Sequence, residues 1–204
     1  SWEIGISAKW NNDSAKSPRL SATSCFAEAW LGLECSGEYL PKMKEIFKDN
    51  KRDKRNWSDV PEEEKMNKYY KPVADVFIDE LNFLRKRDKT IAANLAEYFI
   101  GRQDFYKVIG KKSQVVIEGY NFHKTLEIPS TKLPDEITDI RLLPPTKKEK
   151  QGRTIVITCN RGWQFHGRIH IKDTRVSDSE SLGIEITLEG KGKSLFTHDI
   201  QVRM

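Results

Sequence analysis

Cysteine is scarce in this chain: Cys25, Cys35 and Cys159 are the three among 204 residues. Their spacing matches no zinc pattern, and an odd number leaves one thiol over. Composition therefore calls for neither a disulfide framework nor a metal staple, and a reducing, cytoplasmic setting is the simple expectation. No apolar run approaches the ~18 residues of a membrane span, and no secretory segment opens the chain. Internal repeats and low-complexity stretches are also missing. Aromatic residues are not: five Trp, six Tyr and nine Phe supply what a disordered chain lacks. The length suits one large domain or two small ones, with enough chain for a real core.

Charge is unevenly placed. The total is 35 Lys+Arg against 30 Asp+Glu, a net +5. From Arg141 to Met204 there are 12 basic and 7 acidic residues, which is the whole excess. The first 140 residues carry 23 of each sign. A basic region can be an electrostatic footprint for phosphate, or simply a solvated lysine-rich face.

Patterning changes along the chain. Trp2 to Lys9 alternates apolar and polar residues, which reads as a half-buried strand. A strand starting at the second residue suggests that residues upstream are missing, because termini usually fray. Asn11 to Pro18 reads as a polar loop. Ala22 to Leu31 reads as a short helix with Ser21 or Ser24 as cap and Gly32 as stop. Ser36 can cap a helix to about Lys48, and Asp49 to Trp57 reads as a charged loop. Pro61 with Glu62, Glu63 and Glu64 marks a helix start. Val73, Val76, Phe77, Leu81 and Leu84 form one apolar stripe; Ile91, Leu95, Tyr98 and Phe99 form another, ended by Gly101. Beyond it, Val115–Glu118, Ile137–Leu143, Thr154–Thr158, Trp163–Ile171 and Leu182–Leu188 read as strands, with Asn160–Gly162 as a turn. Close spacing favours an antiparallel sheet. Pro144 to Gly152 reads as an exposed loop. Tyr106-Lys107, between helices and sheet, is left as a hinge or a packing element. The expected fold is α+β: a leading core strand, a helical middle and a C-terminal antiparallel β-sheet, in two regions, 1–110 and 111–204.

The leading strand carries the chemistry. Side chains two apart share a face, so Glu3, Ser7 and Lys9 point one way and Ile4, Ile6 and Ala8 the other. A strand delivering Lys9 resembles the last element of the PD-(D/E)xK nuclease motif, with Ser7 where that motif has its acid. Glu28 on the following helix, or Asp13, is a candidate for the migrated acid. Glu3 lies roughly 20 Å from Lys9 at ~3.3 Å per residue, too far to share a metal with it. A solvated lysine at a strand end is the plain alternative.

Further blocks give a more specific resemblance. Ile4–Lys9 with Asn11 and Ser17-Pro18-Arg19-Leu20-Ser21 is similar to the catalytic region of HaeIII-type restriction endonucleases. Trp30-Leu31-Gly32, Cys35-Ser36 with Tyr39, Tyr98–Gly101, Asp104–Gly110 and Gly119–Phe122 continue it. Gly162-Trp163-Gln164, Arg168-Ile169-His170 and Ser181-Leu182 complete it, in order along nearly the whole chain. Two features depart. Trp10 and Asn12 stand where the family often has histidine beside the lysine, and the family pattern needs an Asp on an earlier strand.

The resemblance implies a restriction-endonuclease-like core and a Mg²⁺-dependent type II enzyme that cuts double-stranded DNA at a short palindrome, GGCC. Lys9, Ser7 and Glu28 would be catalytic, with Glu28 and Asp13 as metal ligands. Lys16, Arg19, Arg161, Arg168 and His170 would contact DNA, because arginine paired to guanine O6 and N7 is the commonest base-specific contact. Trp163 would pack on sugar or base, or sit in the core. A homodimer and a cognate DNA methyltransferase are the implied partners; a membrane is not. The competing readings are a non-catalytic DNA-binding protein on the same scaffold and a partner-binding module whose basic tail is only a solvated face.

Overall fold

A computed structural model describes residues 5–10, 14–145 and 152–201. Glu3, Ile4, Asp13, Asn12 and most of the Lys-rich loop after Pro145 lie outside the described residues.

The molecule is α+β, built on two sheets. The leading strand β1 (Gly5–Trp10) pairs in parallel with β4 (Phe105–Lys111). Parallel neighbours need a long crossover, and the helical middle of the chain supplies it. β4 turns through Lys112 and Ser113 into β5 (Gln114–Tyr120), which pairs with β10 (Phe196–Gln201). The first sheet therefore runs β1-β4-β5-β10. The second is antiparallel and runs β2-β9-β8-β7-β6, with β3 also on β9. Its strands are β2 (Ser14–Lys16), β3 (Arg19–Ser21), β6 (Ile137–Leu142), β7 (Thr154–Cys159), β8 (Gln164–His170) and β9 (Ser181–Gly190). A division at 110 falls inside β4, and both sheets take strands from either side of it.

The helices cover the second sheet. They are α1 (Tyr39–Phe47), α2 (Glu62–Lys65), α3 (Lys71–Arg87) and α4 (Ile91–Ile100). A π-helical segment, Met66–Tyr70, joins α2 to α3, and another spans Ala27–Leu31. The apolar stripes behave as their spacing predicts: Val73, Val76, Phe77, Leu81, Leu84, Ile91, Leu95 and Phe99 are buried. They meet Phe165, Ile169, Leu182, Ile184 and Ile186 of the second sheet in one core. Phe26 anchors an aromatic cluster with Trp30, Tyr39 and Phe77, at centroid distances of 4.9, 5.6 and 4.6 Å. Trp163 is a core residue, fully buried, and its Nε1–H donates to the Lys132 carbonyl at 2.9 Å.

Several local expectations are corrected. The first helix begins near Ala27 and not at Ala22, because Ala22 donates its N–H to Glu180 beside β9. Neither Ser21 nor Ser24 caps it. Gly32 does stop it, in the left-handed region at φ 66°. Ser36 does not cap α1; the Glu80 carboxylate on α3 holds it instead. Asn11–Pro18 is not all loop, since β2 pairs with β9. Asp49–Trp57 holds a 3₁₀ turn, Asn50–Arg52. Val115–Glu118 belongs to the first sheet, not to the C-terminal antiparallel one. Pairing partners lie too far off in sequence for periodicity to reveal them.

Candidate active site

β1 turns its polar face inward. Ser7 and Lys9 are half-buried, whereas Ile6 is 70 % exposed and Ala8 is exposed. Ser7 and Lys9 line a cavity of about 70 Å³ with Ser14, Ala15, Ile100, Phe105, Lys107, Tyr120 and Leu188. These residues come from β1, β2, the end of α4, β4, β5 and β9. The cavity thus sits where the two sheets and the last turn of α4 meet. Gly101 makes that meeting feasible. Its φ of 136° with ψ 158° is a conformation essentially reserved for glycine, and it swings the chain from α4 into β4.

Strand register fills the inner face with charge. Ser7 stands beside Lys107, and Lys107 beside Glu118. Lys107 is 7 % exposed and Glu118 is fully buried. A buried charge needs partners, and Glu118 has them: it accepts the Tyr120 hydroxyl at 2.7 Å and pairs with Lys191. Lys191 follows β9, so this ion pair joins the two sheets beneath the site. Tyr120 stacks on Phe105, centroids 4.7 Å apart and planes 9° apart, which closes the floor.

Asp104, just before β4, is the second buttress. It accepts the N–H groups of Phe122, His123 and Thr125 at 2.6, 2.9 and 2.9 Å, and the Thr125 hydroxyl at 2.7 Å. Burial pushes its carboxyl up, but those hydrogen bonds outweigh burial and hold it below the usual range.

The other residues singled out by sequence are dispersed. Glu28 is exposed on the π-helical segment and does not line the cavity. Lys16 hydrogen-bonds the Tyr98 carbonyl at 3.0 Å and lies 3.6 Å over its ring. Burial, and then the positive charge of Arg102, lower its pKa. Arg19 pairs with Asp173 at 3.4 Å and donates to Ser181 Oγ at 3.0 Å. Arg161, in a left-handed turn at φ 57°, pairs with Asp135. Arg168 pairs with Glu185 at 2.8 Å. Arg168 and His170 do share the polar face of β8. Phosphate contact by any of the three arginines would exchange an existing carboxylate partner.

A hard cation such as Mg²⁺ takes oxygen ligands, chiefly carboxylates. The described cavity lining offers two ammonium groups and two serine hydroxyls, and no carboxylate. These residues alone do not fit the ion. What they fit is an anion: two fixed positive charges with hydroxyl donors beside them. Sequence reasoning missed Lys107 and Glu118. Each stands at an apolar-facing register position in a short β-run, and only cross-strand pairing brings Lys107 beside Ser7 and Glu118 beside Lys107.

The family model for the HaeIII restriction endonuclease matches residues 1–190. The chain belongs to the HaeIII restriction endonuclease family. It is 32% identical to the Type II restriction enzyme HaeIII of Haemophilus aegyptius, over 91% of this chain and 61% of that protein. It therefore spans less than two thirds of the length of the relative it matches. No solved structure matches it. Among the described residues, no helix is long and apolar enough to cross a membrane.

Proposed function

We propose that this chain is the cutting and reading part of a type II restriction endonuclease that hydrolyses phosphodiester bonds in duplex DNA at a short palindrome. The observation that carries this reading is the pairing of Lys9 and Lys107 with Ser7 in one cavity, in a chain of this family. In the reaction, water attacks phosphorus and the bond from phosphorus to the leaving sugar oxygen breaks. A proton then passes to that oxygen. Negative charge builds on the phosphoryl oxygens, and ammonium groups already in place stabilise it without reorganising. Lys9 and Lys107 have this role, and Ser7 orients the phosphate by hydrogen bonding.

By resemblance, the target is GGCC and cutting depends on a divalent cation, Mg²⁺. A bound ion of that kind would supply Lewis-acid activation of water. Its carboxylates would come from outside the described cavity lining, with Asp13 and Glu28 as this chain's candidates. Residues 111–204, with Arg161, Arg168 and His170, form the reading surface; Lys16 and Arg19 contact the backbone, which positions rather than specifies. Two copies acting together, a cytoplasmic setting and a methyltransferase that protects host DNA belong to the same reading.

The absence of a carboxylate in the described lining favours one alternative, a protein that binds DNA without cutting it. Digestion of supercoiled plasmid separates the two, using protein from the full reading frame. Discrete fragments with Mg²⁺, none with EDTA and none from Lys9→Ala support the nuclease. Intact plasmid from folded protein, with retention of DNA in a shift assay, supports the alternative.

A further inference from the structure

Cys25 and Cys35, ten residues apart, are joined as a disulfide across a Cα separation of 6.4 Å. That span lies within the range of bridged cysteines. The loop so closed contains the whole π-helical segment Ala27–Leu31. Its Trp30 stacks on Tyr98 of α4, centroids 5.2 Å apart. Cys25 is fully buried and Cys35 half-buried. Cys35 faces an open pocket of about 530 Å³, whose wall includes Ser36, Lys42, Glu80 and Arg87. Cys35 is therefore the more accessible of the two residues.

Glu80 completes the cluster. One of its oxygens and the two sulfurs lie within 4.8 Å of one another. Glu80 is buried on α3 and accepts the Ser36 N–H at 2.8 Å and the Ser36 hydroxyl. These bonds fix the residue next to Cys35 independently of the bond between the sulfurs. They also occupy the carboxylate. A metal here would find three protein donors, where a structural zinc site takes four. Beside a buried carboxylate and without a metal, the two sulfurs are neutral either as thiols or as a disulfide.

We propose that Cys25 and Cys35 form a reversible thiol–disulfide site whose reagent is a low-molecular-weight disulfide entering through the pocket at Cys35. The Cys35 thiolate attacks one sulfur of the reagent, forming a mixed disulfide and releasing one small thiolate. The Cys25 thiolate then attacks Cys35 Sγ, forming the internal bridge and releasing the second. The two cysteine protons end on the two released thiols, so the protein is oxidised by two electrons and one reagent molecule is reduced to two thiols. Excess small thiol runs both steps backwards. Cys159 takes no part, being buried with no partner sulfur. The site stands apart from the cavity at β1 and does not depend on the nuclease reading.

The test uses the full chain, reduced and then equilibrated with mixtures of oxidised and reduced glutathione. Intact mass, a count of free thiols and thermal unfolding are read together. The oxidised limit is expected to lose about 2 Da, keep one free thiol and gain about 5–10 °C in Tm, as a short closed loop implies. Cys25→Ser is expected to trap a glutathione adduct on Cys35, and Cys35→Ser to carry none. Three free thiols at every ratio in folded protein would overturn the proposal, as would an adduct on Cys159. Stoichiometric Zn²⁺ uptake by the reduced chain, with a chelator-sensitive Tm, would replace it with a metal site. The mass and thiol count of the unaltered chain decide the matter even where a variant fails to fold.

Discussion

Lys9 and Lys107 differ in how they are held, and their variants should differ accordingly. Lys9 is half-buried on an edge strand, and Lys107 is buried in the middle of the first sheet. Lys9→Ala should lower plasmid cutting by about 10²–10³-fold with little change in stability, the range seen when one fixed transition-state partner is removed. Lys107→Ala should lower cutting and also shift the urea midpoint, because it leaves a hole beside Glu118. Equal cutting by Lys9→Ala and the parent would remove Lys9 from the chemistry. Asp104 holds the 122–125 turn. Asp104→Ala strips four hydrogen bonds from the 122–125 turn and should cost about 2–3 kcal/mol in urea unfolding, since bonds to a charged acceptor are the stronger kind. The roles of these residues were unevenly legible. Lys9 is legible because a lysine at a strand end has a familiar pattern. Lys107 reads only as a hinge or packing residue, because a lysine in an apolar run carries no sign of what stands beside it.

The joint between α4 and β4 is the decisive element. Gly101 holds it at φ 136°, so Gly101→Ala should cost about 1–3 kcal/mol and move Ile100 against the cavity. Chemical denaturation and plasmid cutting measured on the same variant check both effects; an unchanged midpoint would show that the joint tolerates a side chain. Helices were the best-read elements. Their buried stripes repeat locally, and Pro61, Gly32 and Gly101 mark boundaries by their own backbone limits. Short strands were the least. β2 and β3, at three residues each, are too short to show alternation; β4 is interrupted by Lys107 and β10 by the polar run Thr197–Asp199, and what makes all four strands is a partner far away in sequence.

Acid response belongs to the whole molecule. Side-chain hydrogen bonds from Arg55 hold the Asp53 carboxyl at about 2, against an ordinary 3.8. Arg55 likewise depresses Glu64, and Asp104 is depressed by the turn it caps. A folded-state value below the unfolded one means that the unfolded chain binds more protons in between. The stabilisation is complete above about pH 4 and is lost as pH falls through about 2. Urea midpoints at pH 5, 3 and 2 should fall in that order, and Asp53→Asn should flatten the acid limb; a flat parent profile would contradict the pairing. The proposed function makes salt response the second test at this scale. The basic excess in the last third predicts that log Kd rises steeply with log salt, with a smaller slope for Arg161→Ala or Arg168→Ala if either touches phosphate.

The sequence alone determined the class and its order: a charged leading strand, amphipathic helices, then β structure, with the blocks that mark the family. Those are local signals, set by periodicity, by glycine and proline backbone limits, and by residue order. Tertiary structure decided which residues meet. It turned the polar face of β1 inward, placed Lys107 next to Ser7 and Glu118 next to Lys107, sent Trp163 into the core, paired each candidate arginine with a carboxylate and brought Cys25 against Cys35. Each of these depends on register between strands or helices that are distant in the chain. Register is set by packing of the whole core, and no local pattern contains it.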